Sequence, residues 1–483
     1  MKPSTCLYRQ AFNSHPSTSS MLRKFSLTFL ITANTLAAFS QDTIPFLKGK
    51  VEFSIKQGTI ECHWVMTNIP RIQDYSIRIN AGMNPRYFKA GDIGYPMNFD
   101  WDLQDTMSTG ETKAYYFTSN QKKSLPDTIE FSYTGRYPVF YDSLRDYSGA
   151  DWKGNLAFNG YSLRTDGRQS AWYPYLYDVK KDKGYPEVRY DVEISCPDCS
   201  TLYINGNKPV YASKARFTSQ IPREMTLFCG NYRYTNVDGT YILNPDLTEE
   251  EIRAFGKMTN DYKNFMVRKL GIPYGDQVTF IRTTPTSEFN GWLFVSFPTI
   301  VNINHTMGLK KFLDPKTWDR YRPFLAHELG HFYFGTVRSF NTELGDMISE
   351  GFAEFLSFKV TQNLVGDSVY RKKVQDKYDA LANFSPTPVS RIRSNTQYNN
   401  RELFVYYYAP LIFIAIEKEI GEKKMWEWLK SLLETKTDFT NYAFLTSTLE
   451  SVVKDKAKTD LIKTKYLESE KAMEHVGETL GLK

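Results

Sequence analysis

The run His327-Glu328-Leu329-Gly330-His331 has the residue types and the spacing for metal-assisted acid–base chemistry. On an α-helix, positions i and i+4 lie on one face, one turn apart. Two imidazoles so placed reach a single zinc ion, and the glutamate beside them serves as a general base. Catalytic zinc needs a third protein ligand and one open position. Glu350, nineteen residues past His331 in Ser349-Glu350-Gly351-Phe352-Ala353-Glu354, is the candidate. Two His with one Glu make a catalytic set rather than a closed structural one. The chain has six His in 483 residues. A chance H-E-x-x-H is expected on the order of once in a few hundred such chains.

These residues need two helices to hold them. The first is predicted over residues 324–334, with Pro323 in its first turn, where a missing N–H costs nothing, and Gly335 as a left-handed stop. The second, predicted over 346–365, carries Glu350 and, one turn later on the same face, Glu354. Metal-bound His usually donates its other ring N–H to a carboxylate, which makes Glu354 a candidate outer partner; the alternative is a solvated carboxylate. Upstream, Thr248-Glu249-Glu250-Glu251 reads as a capping box. Ile252, Phe255, Met258, Tyr262, Phe265 and Met266 then recur at helical spacing, up to Gly271 and Pro273. Strands are expected at 278–281 and 289–296. His305 reads as a surface or outer-layer residue. One helix (368–381) and a long loop near the cleft fill 365–401, and a charged helical region follows Glu422.

The metal-binding pattern resembles the gluzincins, in particular the M1 aminopeptidase family. His327, Glu328, His331 and Glu350 match the family pattern position by position, and Ser349 replaces the usual Asn. The resemblance covers residues 247–434. It implies a thermolysin-like, mostly helical zinc-peptidase domain, one Zn²⁺ ion and a peptide substrate. Tyr406-Tyr407-Tyr408-Ala409-Pro410 resembles the family segment whose leading Tyr stabilises the oxyanion. Aligned on Ala409-Pro410, that residue is Tyr406, with Tyr407 as the fallback. Gln169-Ser170-Ala171-Trp172-Tyr173-Pro174 is similar to a short stretch of the family's amino-terminal domain. The family motif G-x-M-E-N, whose Glu grips the substrate's free amino terminus, is missing; Glu288 is nearby but out of pattern. The resemblance therefore implies an M1-like metallo(amino)peptidase. A thermolysin-like endopeptidase, a non-peptidase hydrolase on the same site, and a non-catalytic zinc-stabilised binding or cell-surface protein are the alternatives.

The rest of the chain sets the frame. An aromatic content of 15% favours β-rich structure, where rings pack on pleated surfaces. Residues 41–245 show period-two alternation, as at Val51, Phe53 and Ile55 and from Val188 to Ile194, with turn pairs at Asn205-Gly206 and Asp238-Gly239. The expected fold is α+β. An N-terminal antiparallel β-sandwich or saddle spans 41–245, the gluzincin catalytic domain 246–435 and a helical extension 436–483. Residues 1–40 read as a secretory signal peptide, with basic Arg23-Lys24, an apolar run over 25–39 and Ala38-Phe39-Ser40 before a cut at Gln41; Met21 is an alternative start. A secreted or periplasmic location follows. No later apolar run suits a membrane span. Losing Lys2, Arg9, Arg23 and Lys24 and no acid takes the formal charge from +6 to +2, which argues against a nucleic-acid partner. Cys62, Cys196, Cys199 and Cys229 remain, and Cys196-Pro197-Asp198-Cys199 reads as local structural thiols or a disulfide.

Overall fold

A computed structural model describes residues 43–482 apart from 92, 95–97, 101–111, 120–121, 140–155, 166, 169, 182, 276, 283–292, 297, 303–307 and 341. The expected leader, Gln169, Glu288, His305 and the first four residues of the strand expected at 289–296 lie outside the described residues. Thr43–Lys483 forms one compact unit.

Alternation in the first half becomes sheet. In Thr59–Thr67, Ile60, Cys62, Trp64 and Met66 are buried and the residues between them face outward. This strand sits in a seven-stranded sheet ordered Lys214–Glu224, Glu187–Ser195, Phe46–Ser54, Thr59–Thr67, Ile129–Arg136, Met83–Ala90, Ile93–Gly94. One pair departs from the antiparallel expectation: Phe46–Ser54 and Glu187–Ser195 run parallel, so the sheet is mixed. A five-stranded, a four-stranded and a two-stranded sheet (Thr118–Ser119 with Lys122–Lys123) accompany it among the described residues, and one core joins residues of the three larger sheets. Trp172 pins that core. It is fully buried, its indole N–H donates to the Met225 carbonyl at 2.8 Å, and its own carbonyl accepts the Tyr133 hydroxyl at 2.8 Å. Cys196 and Cys199 form a disulfide, and Cys62 and Cys229 are free and buried.

Asp238-Gly239 is a two-residue hairpin turn with φ positive at both positions, 48° and 84°. At Asn205-Gly206 only the glycine is left-handed. The hairpin Tyr234–Val237/Thr240–Leu243 precedes the composition change at Pro245, yet it pairs with the strand that follows it. It belongs to a sheet ordered Tyr234–Val237, Thr240–Leu243, Thr279–Arg282, Thr299–Asn302, Leu293–Ser296. A small cluster of Tyr203, Phe228, Tyr232, Tyr241, Leu243 and Ile281 links this sheet to the first half. Leu293–Ser296 is an edge strand, antiparallel to its one neighbour.

Helices follow. α1 (Glu249–Leu270) carries the capping box in full and ends on left-handed Gly271. α2 spans Trp318–Gly330. It starts earlier than expected, so Pro323 lies inside the helix and not at its entrance. The carbonyl that loses a partner is that of Asp319, an exposed residue whose carbonyl water can satisfy. Gly335 is not left-handed either; the helix stops at His331, which caps it in right-handed geometry. A Cβ on Gly335 would lie 2.8 Å from the His331 carbonyl oxygen, so the glycine serves close approach. α3 (Gly345–Val360) continues into a π turn, Thr361–Val365, and then α4 (Asp367–Asp379). α5 (Arg401–Leu403), a second π turn (Phe404–Tyr408) and α6 (Ala409–Ile420) run on as one helical stretch. α7 (Glu422–Glu434), α8 (Tyr442–Val453), α9 (Lys456–Ile462) and α10 (Ala472–Leu480) complete the chain.

One apolar core holds these helices together. Phe352 of α3 stacks on Phe413 of α6 with centroids 3.9 Å apart. Gly351, next to Glu350, lets them meet: a Cβ there would fall 2.9 Å from the Phe413 ring. Among the described residues, no helix is long and apolar enough to cross a membrane.

Candidate metal centre

α2 and α3 touch at Gly330, where a Cβ would sit 3.2 Å from the Cα of Ala353. That contact brings three donor atoms together. His327 Nε2 and His331 Nε2 are 3.1 Å apart, and Glu350 Oε2 lies 3.3 Å from the first and 3.2 Å from the second. A tetrahedral ion with bonds of about 2.0 Å has ligand–ligand edges of about 3.3 Å. Glu350 Oε2 is buried and, close as the two rings are, makes no properly directed hydrogen bond with either. Three ligand atoms this close can share a single ion. The residues therefore fit a zinc ion.

The outer bonds orient the donors. His327 Nδ1–H donates to Glu354 Oε2 at 3.0 Å, which leaves the Nε2 lone pair for a metal. Glu354 is thus placed in the role proposed for it, and it is buried rather than solvated. Its other oxygen takes ion pairs from Lys373 at 2.8 Å and Lys377 at 3.1 Å, both on α4. His331 Nδ1 faces the Phe334 carbonyl at 3.4 Å, and the same oxygen accepts the Ser349 hydroxyl at 2.6 Å. Ser349 so fastens α3 to the turn that follows His331.

The field of the site favours positive charge. Burial opposes a charged His327, but Glu350 and Glu354 outweigh it and lift the imidazole to about 10. His331 is raised against the same burial, chiefly by Glu350. Burial works against ionised Glu354, yet Lys373, Lys377 and His327 hold its carboxyl well below the usual range. Glu328 forms no ion pair with a lysine or arginine among the described residues, and burial pushes its carboxyl up against the opposing pull of His327 and His331. Groups that stabilise an imidazolium also stabilise a divalent cation, and metal binding then displaces protons.

The centre of the Tyr406 ring lies 5.7 Å from that of His327. Tyr407 has its ring under Lys377 Nζ at 4.1 Å, and Tyr408 is buried in the core. Of the two tyrosines weighed from sequence, Tyr406 is the one brought to the triad. Burial pushes its phenol up, with the Glu350 and Glu328 carboxylates adding to the effect. Sequence reading missed Asp346, Lys373, Lys377 and Arg401. Asp346 had a signal, being one turn before Glu350 on the same face; Lys373 and Lys377 are an i, i+4 pair on α4. Arg401 had none.

Cys196, Asp198 and Cys199 also lie within ligand distance of one another. Both sulfurs are spent in the disulfide, and Asp198 accepts from the Ser54 hydroxyl and the Ile55 and Lys56 amides, so this cluster is structural.

No protein-family model matches the sequence, and no curated protein sequence does. Solved structures match by fold. The M1 zinc metallopeptidase from Deinococcus radiodurans superposes at a TM-score of 0.58 with 13% identity, over 87% of this chain and 92% of that one. Native yeast LTA4 hydrolase gives a TM-score of 0.59 with 9% identity, over 87% of this chain and 66% of that one. The yeast LTA4 hydrolase in complex with bestatin gives 0.59 at 11% identity. The fold is therefore α+β and is the two-domain fold of the M1 zinc metallopeptidases. Onto that fold this chain places His327, His331 and Glu350 as a group able to hold a metal ion.

Glu354→Ala should weaken zinc binding about 10- to 100-fold, because the His327 ring loses its orienting acceptor. Competition with a chromophoric chelator measures this; an unchanged affinity would show that the carboxylate does not support the ligand.

Proposed function

We propose that this protein is an exported, zinc-dependent hydrolase of peptide bonds, an M1-like metallo(amino)peptidase. The observation that carries the reading is the convergence of His327, His331 and Glu350, with an otherwise unpartnered Glu350 oxygen, beside a buried Glu328. His327, His331 and Glu350 would hold one zinc ion, which supplies Lewis acidity at an open fourth position. Glu328 takes the proton of the attacking water and returns it to the leaving amine. Its burial suits that task, since a carboxyl raised from its usual range is a stronger base towards the water's proton. Tyr406 keeps its phenol proton and donates it as a hydrogen bond to the carbonyl oxygen as negative charge develops there. The edge strand Leu293–Ser296 offers main-chain groups to an extended peptide, which would add to the sheet as a further strand.

A second reading, a thermolysin-like endopeptidase, is favoured by one observation. The stretch Phe289-Asn290-Gly291-Trp292-Leu293-Phe294-Val295-Ser296, at the point where the family carries G-x-M-E-N, lacks that motif and its glutamate, which would grip a free amino terminus. The export reading rests on residues 1–40, and amino-terminal sequencing of the chain recovered outside the cytoplasm should begin at Gln41; an intact leader on that chain would contradict it.

The test uses a matched pair of peptides, one with a free amine and one N-blocked. Zinc-loaded wild type should cleave the free-amine peptide faster if it is an aminopeptidase and cleave both if it is an endopeptidase. Glu328→Gln should keep its zinc and lose about 10²- to 10⁴-fold in kcat on either. A metal-loaded variant as fast as wild type would remove Glu328 from the mechanism.

A further inference from the structure

Arg401 opens α5, five residues before Tyr406. Its guanidinium makes a two-pronged bond to Asp346, Nε to Oδ2 at 2.7 Å and Nη2 to Oδ1 at 2.6 Å. The same Nη2 reaches Glu350 Oε1 at 3.4 Å. Its central carbon lies over the Tyr406 ring, 5.5 Å from the ring centre. Residues five apart on a regular α-helix point about 140° away from each other, since each residue turns the helix by about 100°. The π turn Phe404–Tyr408, closed by Ala409 N–H on the Phe404 carbonyl, takes up the extra residue and swings Tyr406 back towards Arg401.

Pro410 contributes to that distortion. It has no N–H to give the carbonyl four residues back, which is that of Tyr406. Lys377 Nζ donates to this carbonyl instead, at 2.7 Å. Tyr406 is therefore held twice, at its main chain by Lys377 and at its ring by Arg401. Each cation also grips α3, Lys377 at Glu354 and Arg401 at Asp346 and Glu350. Asp346, Glu350 and Glu354 recur every four residues along one face of α3, so the helix that supplies the metal ligand is tied twice to the turn that supplies the tyrosine.

We propose that Arg401 is a positioning residue that aims the Tyr406 hydroxyl at the reacting carbonyl oxygen. This rests on the peptidase reading above. A guanidinium has five N–H donors and no acceptor. A guanidinium packed over the Tyr406 ring offers the phenol proton no acceptor, so the hydroxyl must donate elsewhere. The competing acceptor is Glu350 Oε1, and Arg401 Nη2 covers it. Remove the guanidinium and the phenol is free to turn to that carboxylate, where its proton is lost to the reaction. Asp346 anchors the fork in place and cancels its charge, so the arrangement adds no free cation to the cleft.

The test is a double-mutant cycle on the zinc-loaded full chain, with the free-amine and N-blocked peptides as substrates. Arg401→Met should lower kcat about 10- to 100-fold with KM little changed and zinc content retained, the scale of a weakened oxyanion donor. In a Tyr406→Phe background the same substitution should change kcat less than about twofold, because there is no hydroxyl left to aim. Arg401→Lys keeps the charge but not the fork and should recover only part of the loss. Asp346→Asn, which leaves Arg401 present but loosely held, gives a second cycle should Arg401→Met fail to fold; its loss should likewise vanish in the Tyr406→Phe background. Equal losses with and without the hydroxyl, or a change in KM alone, would overturn the role. Wild type that binds zinc but cleaves neither peptide would overturn the peptidase reading and this inference with it, whereas cleavage with an additive cycle overturns the inference alone.

Discussion

The contact between α2 and α3 at Gly330 and Ala353 is the constraint from which the site follows. Three donor atoms from two helices converge only if the helix backbones approach closely, and a side chain at Gly330 would hold them apart. The approach brings two imidazoles and a carboxylate oxygen within 3.1–3.3 Å of one another in a buried setting. Polar atoms buried without directed partners are costly, so the surroundings must compensate. Here they do so through the outer shell: Glu354 under His327, two lysines under Glu354, and Ser349 on the carbonyl beside His331.

Charge is arranged along α3 in a way that explains why so many acids and bases crowd one region. Asp346, Glu350 and Glu354 form an acidic stripe, and the cations that answer it come from α4 and α5 rather than from α3 itself. A carboxylate with fixed cationic partners stays ionised, whereas Glu328, which lacks one, is shifted by burial towards the neutral form. Neighbouring acids thus acquire different chemical characters from their surroundings: one orients a histidine, one is placed where it could ligate a metal ion and one is shifted towards the neutral form. Among the described residues the π turns Thr361–Val365, Phe404–Tyr408 and Lys463–Leu467 mark where the helical stretches give up regular geometry, and the one at Phe404–Tyr408 delivers Tyr406.

The triad was legible in the sequence because helix periodicity alone puts His327 and His331 on one face, and Glu354 was legible because it repeats Glu350 one turn on. The capping box at Thr248 and the hairpin at Asp238-Gly239 were legible because they depend on neighbours in the chain. Other features were not. Period-two alternation is the same in parallel and antiparallel strands, so the parallel pairing of Phe46–Ser54 with Glu187–Ser195 left no trace. Pro323 looked like a helix entrance because proline is most at home there; it sits inside instead, at a place where Asp319, whose carbonyl loses its partner, is an exposed residue. Arg401 and Asp346 are 55 residues apart, and nothing local in either segment announces the bond between them.

The N-terminal half supplies a mixed sheet pinned by Trp172, and it meets the sheet of the second half through the cluster around Tyr203 and Ile281. The central claim, however, is one ion held by two nitrogens and one carboxylate oxygen. Zinc-edge X-ray absorption on the full chain loaded with one equivalent of zinc tests it most directly. The account predicts nitrogen and oxygen scatterers at about 2.0–2.1 Å, with the outer-shell signature of two imidazoles. A shell of sulfur at about 2.3 Å, or an ion that does not stay bound at one per chain, would contradict it.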